Sequence, residues 1–209
     1  MRVLGIDPGI TRCGVGVVDV DPSRRASLVH VGVVRTDPEL ATQFRLLTIS
    51  DGIAEVIARF SPEIVALERP FAKENRQSVA TTMQAMGIAM VEAARAGLPV
   101  AVHTPSEVKA AVSGNGAASK AQVETMVARI LGLDKPPKPA DAADALAIAI
   151  TQAWRGTGIL GSGVDGDLDV TISGGVKTRV GTRLTPAQRA WAEAEAASRR
   201  SGAADPRRK

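Results

Sequence analysis

The chain has 209 residues, of which 44% are apolar and 23% charged, a balance that fits one globular domain with a sizeable core and a tail rather than two domains. No apolar run reaches the roughly 18 residues of a membrane span, and Arg2-Val3-Leu4-Gly5 begins without a signal-peptide pattern, so no membrane is expected and the cytoplasm is the expected compartment. The net charge of +4 suggests nucleic acid, but ten of the 26 Lys/Arg and six of the 22 Asp/Glu fall from Thr151 onward, leaving residues 1–150 balanced at 16 of each; any nucleic-acid surface on the core must come from placement, not from bulk charge.

Residues 2–6 read as a first strand, Pro8-Gly9 as a turn and residues 14–18 as a valine-rich second strand. Asp21-Pro22-Ser23 turns the chain into a third strand over 27–36, which predicts an antiparallel meander. Phe44, Leu47, Ile49, Ile53, Val56, Ile57 and Phe60 then recur at helical spacing until Ser61-Pro62, and Ile64-Val65-Ala66-Leu67 reads as a buried strand. A helix over about 77–96 and a fifth strand over 98–102 follow. Thr104-Pro105-Ser106 opens a helix, Ser119 caps another with Gln122 three residues on and Gly132 at its end, and a last helix spans about 141–154.

Together these elements predict an α/β fold, a mixed five-stranded sheet flanked by helices, within residues 1–155. Residues 156–209 are expected to form a Gly-rich linker and a basic tail without a fold of their own, with a short helix over 185–200 as its one structured piece. That helix would have Trp191 as its only large apolar anchor, and the tail ends on Arg207-Arg208-Lys209.

Asp7 stands at the end of one apolar strand and Glu68 directly after another, where a carboxylate must find a cation, a donor or water. Asp141 and Asp144 share one face of a helix whose remaining residues are almost all alanine, leucine and isoleucine. Taken singly, each has an ordinary reading: Asp141 as a helix N-cap, Glu68 as a partner of Arg69 or Arg76, Asp7 as a turn closer. Taken together, four rigidly held carboxylates suit a hard-metal centre. The single Cys13 and the two histidines, His30 and His103, leave oxygen as the main ligand. His103 itself reads as a strand-end histidine.

The run Gly5-Ile6-Asp7-Pro8-Gly9, Glu68 followed by Phe71, Gly114-Asn115-Gly116 with Lys120, and Asp141-Ala142-Ala143-Asp144-Ala145-Leu146-Ala147 resemble, in order and spacing, the RuvC family of Holliday-junction resolvases over about residues 1–154. The resemblance implies an RNase H-like fold, a homodimer and magnesium-dependent paired cuts across a four-way DNA junction, with two Mg2+ per site and Mn2+ as a substitute. It also implies cooperation with branch-migration proteins. Asp7, Glu68, Asp141 and Asp144 match the family's four catalytic, metal-holding acids. Lys109 and Lys120 match its phosphate contacts and Phe71 its aromatic near the junction centre, with Arg76 as a further DNA contact. Met83, Met86 and Met90 around Gly87 are a candidate dimer face, although methionines at helical spacing more often pack on their own sheet.

Two other functions share some of these features. An actin-like ATPase or sugar kinase also opens on a Gly-Ile-Asp-Pro-Gly loop, but needs a second domain and further nucleotide loops. A catalytically silent junction scaffold would need a displaced carboxylate.

Overall fold

The computed structural model describes residues 1–69, 76–156, 168–172 and 176–180. Five strands form one sheet: β1 (Arg2–Asp7), β2 (Arg12–Val20), β3 (Ala26–Arg35), β4 (Ile64–Glu68) and β5 (Val100–His103). Their order is β3-β2-β1-β4-β5, with β1, β2 and β3 antiparallel and β1, β4 and β5 parallel. The mixed sheet expected from three consecutive strands followed by helix-strand alternation is therefore present.

Alternation along the strands divides the sheet into two apolar faces. Leu4, Ile6, Val15, Val17, Val65 and Leu67 pack against α1 (Thr42–Phe60) and α2 (Arg76–Arg95) through Ile49, Ile53, Ala85, Met86 and Ala89. Val3, Val18, Ile64, Ala66 and Ala101 face α3 (Pro105–Ser113), α4 (Lys120–Ile130) and α5 (Ala140–Arg155) through Val108, Val123, Val127, Leu146 and Ile148. Aliphatic side chains fill both layers, as the scarcity of aromatics requires.

The cap read at Ser119 is present, and Thr104, read only as the opening of a helix, proves to be a cap as well. Thr104 and Ser119 each close a reciprocal capping box, with Glu107 and Gln122, satisfying backbone donors at the first turns of α3 and α4. The α4 helix ends at Ile130 with Leu131 as its cap, and Gly132 follows with a φ of +66°. Asp141 is not the cap of α5: Pro139 holds that position without a side-chain bond.

Helix α5 lies unusually close to the sheet. A Cβ on Gly5 would stand 2.1 Å from the Ala145 carbonyl oxygen, one on Gly14 2.1 Å from that of Asp141, and one on Gly16 2.9 Å from the Leu146 nitrogen. The sheet's glycines and the helix's Ala142, Ala145 and Ala149, all buried, thus let two backbones approach. At the far end Trp154 Nε1 donates to the Arg24 carbonyl at 3.0 Å, while the Arg24 guanidinium donates back to the Trp154 carbonyl at 3.1 Å. This reciprocal pair ties the end of α5 to the β2–β3 turn.

Four expectations change. β2 begins at Arg12 rather than residue 14, and β5 runs from Val100 through His103 rather than over 98–102. The methionine stripe divides: Met86 is buried, Met90 packs against the α1/α2 core and Met83 is 51% exposed. In the segment read as a linker without lasting period, β6 (Leu168–Ile172) and β7 (Val176–Val180) pair antiparallel within a second unit, residues 160–209. An alternation of Leu168, Val170 and Ile172 against Asp169 and Thr171 underlies β6. The helix expected over 185–200, Trp191 and the basic end lie outside the described residues.

The close seat of α5 has a direct test. Gly5→Ala places a methyl against backbone atoms of Ala145 and Ala149, which no rotamer relieves. It is expected to destabilise by about 1–3 kcal/mol or more in urea unfolding, and Ala149→Gly in the same chain is not expected to rescue it. Rescue would mean that only the two side chains conflict.

Candidate active site

Asp7 and Glu68 are the last residues of parallel neighbours β1 and β4, brought side by side by the Ile6–Leu67 register. Strand alternation turns Asp7, like Val3 and Gly5, and Glu68, like Ile64 and Ala66, toward the face that carries α5. Gly14 stands opposite Asp7 in the β1–β2 register. A Cβ there would lie 3.3 Å from the Asp7 Cβ as well as against the Asp141 carbonyl, so this glycine lets the first turn of α5 come down beside Asp7. Asp141 lies in that first turn and Asp144 one turn on.

The four carboxylates share one electrostatic field. Burial, followed by the negative charges of Asp144, Glu68 and Asp141, pushes the Asp7 carboxyl up to about 7, and Lys120 offsets part of that. Asp144 and Asp141 are each engaged by a cation. Lys120 Nζ donates to Asp144 Oδ2 at 2.6 Å, and Arg12 Nε lies 3.1 Å from Asp141 Oδ2. Against the burial that opposes its charge, Lys120 is held above the ordinary lysine range by its bond to Asp144 and by the charges of Asp144, Asp7 and Asp141.

Among the described residues no three Asp, Glu, His or Cys side chains form a ready-made cage for an ion. The donor set nonetheless fits a hard divalent cation: oxygen ligands only, rigid mounts, and a mutual repulsion that a cation would relieve. A cleft of about 460 Å³ is lined by Asp7, Glu68, Asp144, Lys109 and Lys120, together with Ser106, Pro105 and Gly116. Three candidate acids and both candidate lysines thus meet in one opening, while Asp141 stands outside its lining, beside Arg12. Arg76 is the first residue of α2, and Phe71 lies outside the described residues.

His103 has more structure around it than a strand-end position suggests. It ends β5 in register with Glu68, is 1% exposed, and its Nε2 lies 2.8 Å from Gln152 Oε1 on α5. An amide oxygen only accepts, so Nε2 carries the proton. Burial holds the ring's pKa below its usual value, against the Gln152 bond. The neutral ring supports the floor behind Glu68.

Sequence reasoning missed Arg12 and Ser106. With β2 started at residue 14, Arg12 fell in a turn. The alternation of Arg12, Gly14 and Gly16 on one face was the available signal.

The profile of the family described as Crossover junction endodeoxyribonuclease RuvC matches residues 3–152. A protein of that name from Leifsonia xyli is 55% identical over 208 residues, covering 100% of this chain and 98% of its own. One from Pseudarthrobacter chlorophenolicus is 53% identical over 201 residues, covering 96% and 98%. Thermus thermophilus RuvC, solved in complex with a Holliday junction substrate, superposes with a TM-score of 0.71 at 43% identity, covering 75% of this chain and 94% of that one. A second Thermus thermophilus RuvC structure gives 0.70 at 42% identity. With the fold's sheet order, the convergent acids and a match across nearly the whole described domain in agreement, this chain belongs to the RuvC family of crossover junction endodeoxyribonucleases.

Proposed function

We propose that this chain resolves four-way DNA junctions by metal-dependent phosphodiester hydrolysis, with Asp7, Glu68, Asp141 and Asp144 as its catalytic, metal-holding acids. The observation that carries the reading is the cleft in which Asp7, Glu68 and Asp144, from three separate elements, meet Lys109 and Lys120. When bound, two Mg2+, with Mn2+ as a substitute, would supply an activated water and stabilise the leaving oxygen.

The chain's own residues divide the remaining work. Asp7, whose carboxyl is pushed up to about 7 by burial and its three acidic neighbours, would have to be ionised to hold a cation. The rigid seat of α5 fixes Asp144 relative to β1 and β4, so the reacting phosphate meets a preformed geometry. Lys109 and Lys120 present positive charge along the same cleft, where a DNA backbone would pass. Phe71, by family correspondence, stacks on an opened base at the junction centre, and Arg76, nearby in sequence, meets a phosphate.

Two strands must be cut, and a two-fold pair of sites matches a nearly two-fold substrate. Leu40, Phe44, Leu47, Met83 and Val91 are all large apolar side chains left exposed before or on the α1–α2 pair. This apolar surface supports a homodimer through that layer, on the opposite side of the sheet from α5. Branch-migration proteins are the expected partners on the DNA, and the cytoplasm the expected compartment.

Three sets of measurements test the reading. A synthetic four-way junction with Mg2+ is expected to be cut by the native protein, but not with EDTA. Asp7→Asn is expected to lower cleavage by at least on the order of 10²-fold, the effect of losing one electrostatic element of an active site. In the same assay Lys109→Glu is expected to weaken junction affinity and flatten its salt dependence by about one or two ions. Equal nicking in every tube would sink the metal-nuclease function, and unchanged affinity would remove Lys109 from the DNA path.

The second concerns pH. The Asp7 carboxyl holds its proton more tightly in the fold, at about 7, than its ordinary value of 3.8. Its stabilising effect is therefore full below about 3.8 and is lost as pH rises through about 7, at about 1.4 kcal/mol per pH unit across that window. Urea unfolding in EDTA is expected to show native stability falling relative to Asp7→Asn between pH 4.5 and 7. Parallel profiles would show that neither the desolvation of Asp7 nor its three acidic neighbours raise its carboxyl in the fold. Third, Phe44→Glu is expected to shift the protein toward monomer in sedimentation; an unchanged dimer would place the interface elsewhere.

A further inference from the structure

Arg12 is the cation of the site to which nothing above gives a task. It leaves β2 on the α5 face, is 53% exposed at its side chain, and reaches Asp141 with Nε 3.1 Å from Oδ2. Asp141 is also the one candidate acid outside the cleft lining. The backbone from which Arg12 departs is braced. Thr11 accepts from the Thr36 amide at 3.1 Å through its carbonyl, and from Arg45 Nη2 at 2.7 Å through its hydroxyl. Arg45 Nε also donates to Thr36 Oγ1 at 3.0 Å. The base of Arg12 is thus fixed while its long side chain borders solvent.

We propose that Arg12 is a positioning residue that latches Asp141 until DNA arrives. In the ion-free protein the guanidinium holds Asp141 at the rim and places a positive charge beside the site, which disfavours a second cation there. A DNA phosphate offers the same planar fork an equivalent partner. Transfer of Arg12 from carboxylate to phosphate releases Asp141 toward Asp7, Glu68 and Asp144. Metal loading and junction binding then strengthen one another, and by linkage the coupling is reciprocal. Lys120 differs in placement: it lines the cleft and bonds Asp144 inside it. The latch rests on the metal-nuclease reading above.

The test is Mn2+ titration by calorimetry without DNA for the native protein, Arg12→Gln and Arg12→Lys, together with junction affinity in EDTA and in Ca2+ for each. Arg12→Gln is expected to bind Mn2+ roughly three- to tenfold more tightly than the native protein, the range a half-exposed ion pair can supply. Arg12→Lys, which keeps the charge, is expected to stay near native. The gain in junction affinity on adding Ca2+ is expected to shrink in Arg12→Gln. Mn2+ binding that is unchanged or weaker in Arg12→Gln, with the native protein binding the ion, overturns the latch and leaves the metal centre standing. Absence of Mn2+ binding by the native protein overturns both.

Discussion

Helix α5 lies so close to β1 and β2 that no Cβ fits on Gly5, Gly14 or Gly16, and the site depends on that approach. With one extra carbon at Gly14, the Asp141 carbonyl would have to move, and Asp141 and Asp144 would shift together relative to Asp7. Because packing at both ends of the helix is stiff, with glycines under one end and the Arg24–Trp154 clamp at the other, the carboxylates are held by the core rather than by loops. Rigidity of this kind is useful where charges repel, since the carboxylates cannot relax apart cheaply.

That repulsion is the second consequence. Asp7 is half-buried beside three acids, and its desolvation first and their negative charges second push its carboxyl up to about 7. Lys120 at Asp144 and Arg12 at Asp141 each neutralise part of the field. An arrangement that is costly without a cation and relieved by one gains its affinity from the fold's own strain in charge. The neutral His103–Gln152 pair belongs to the same logic: polar atoms beneath Glu68 are satisfied without adding another charge to the floor.

The fold was legible where periodicity was strong. Alternating valines, the helical spacing from Phe44 to Phe60, the helix opening at Thr104-Pro105 and the cap at Ser119 each matched an element that tertiary packing had no reason to override. Meeting of Asp7, Glu68 and Asp144 was legible because two end strands and one interrupts an apolar helix. What escaped depended on strand register. The true start of β2 puts Arg12 in pairing distance of Asp141, and the true end of β5 buries His103 beside Glu68; both shifts are two residues or fewer and neither carries a compositional mark. The methionine stripe shows the converse, since spacing alone could not say that Met86 turns inward while Met83 stays exposed. In β6 a short alternation was outweighed by the surrounding glycines.

Lys120 and Arg12, the cations paired with Asp144 and Asp141, are not interchangeable, and their chemistry follows their positions. Lys120 works inside the cleft as a point charge with rotatable donors, and at the first position of α4 it can follow a substrate oxygen without losing its mount. Arg12 works at the rim, where a planar fork must choose between two flat or tetrahedral anions, a carboxylate and a phosphate. A lysine at the rim would bind either anion with less directional preference, and an arginine within the cleft would crowd the space between the acids. The geometry thus places the compact cation in the interior and the forked one at the entrance, and on the proposed latch that division would make Asp141 the carboxylate through which DNA contact reaches the other three acids.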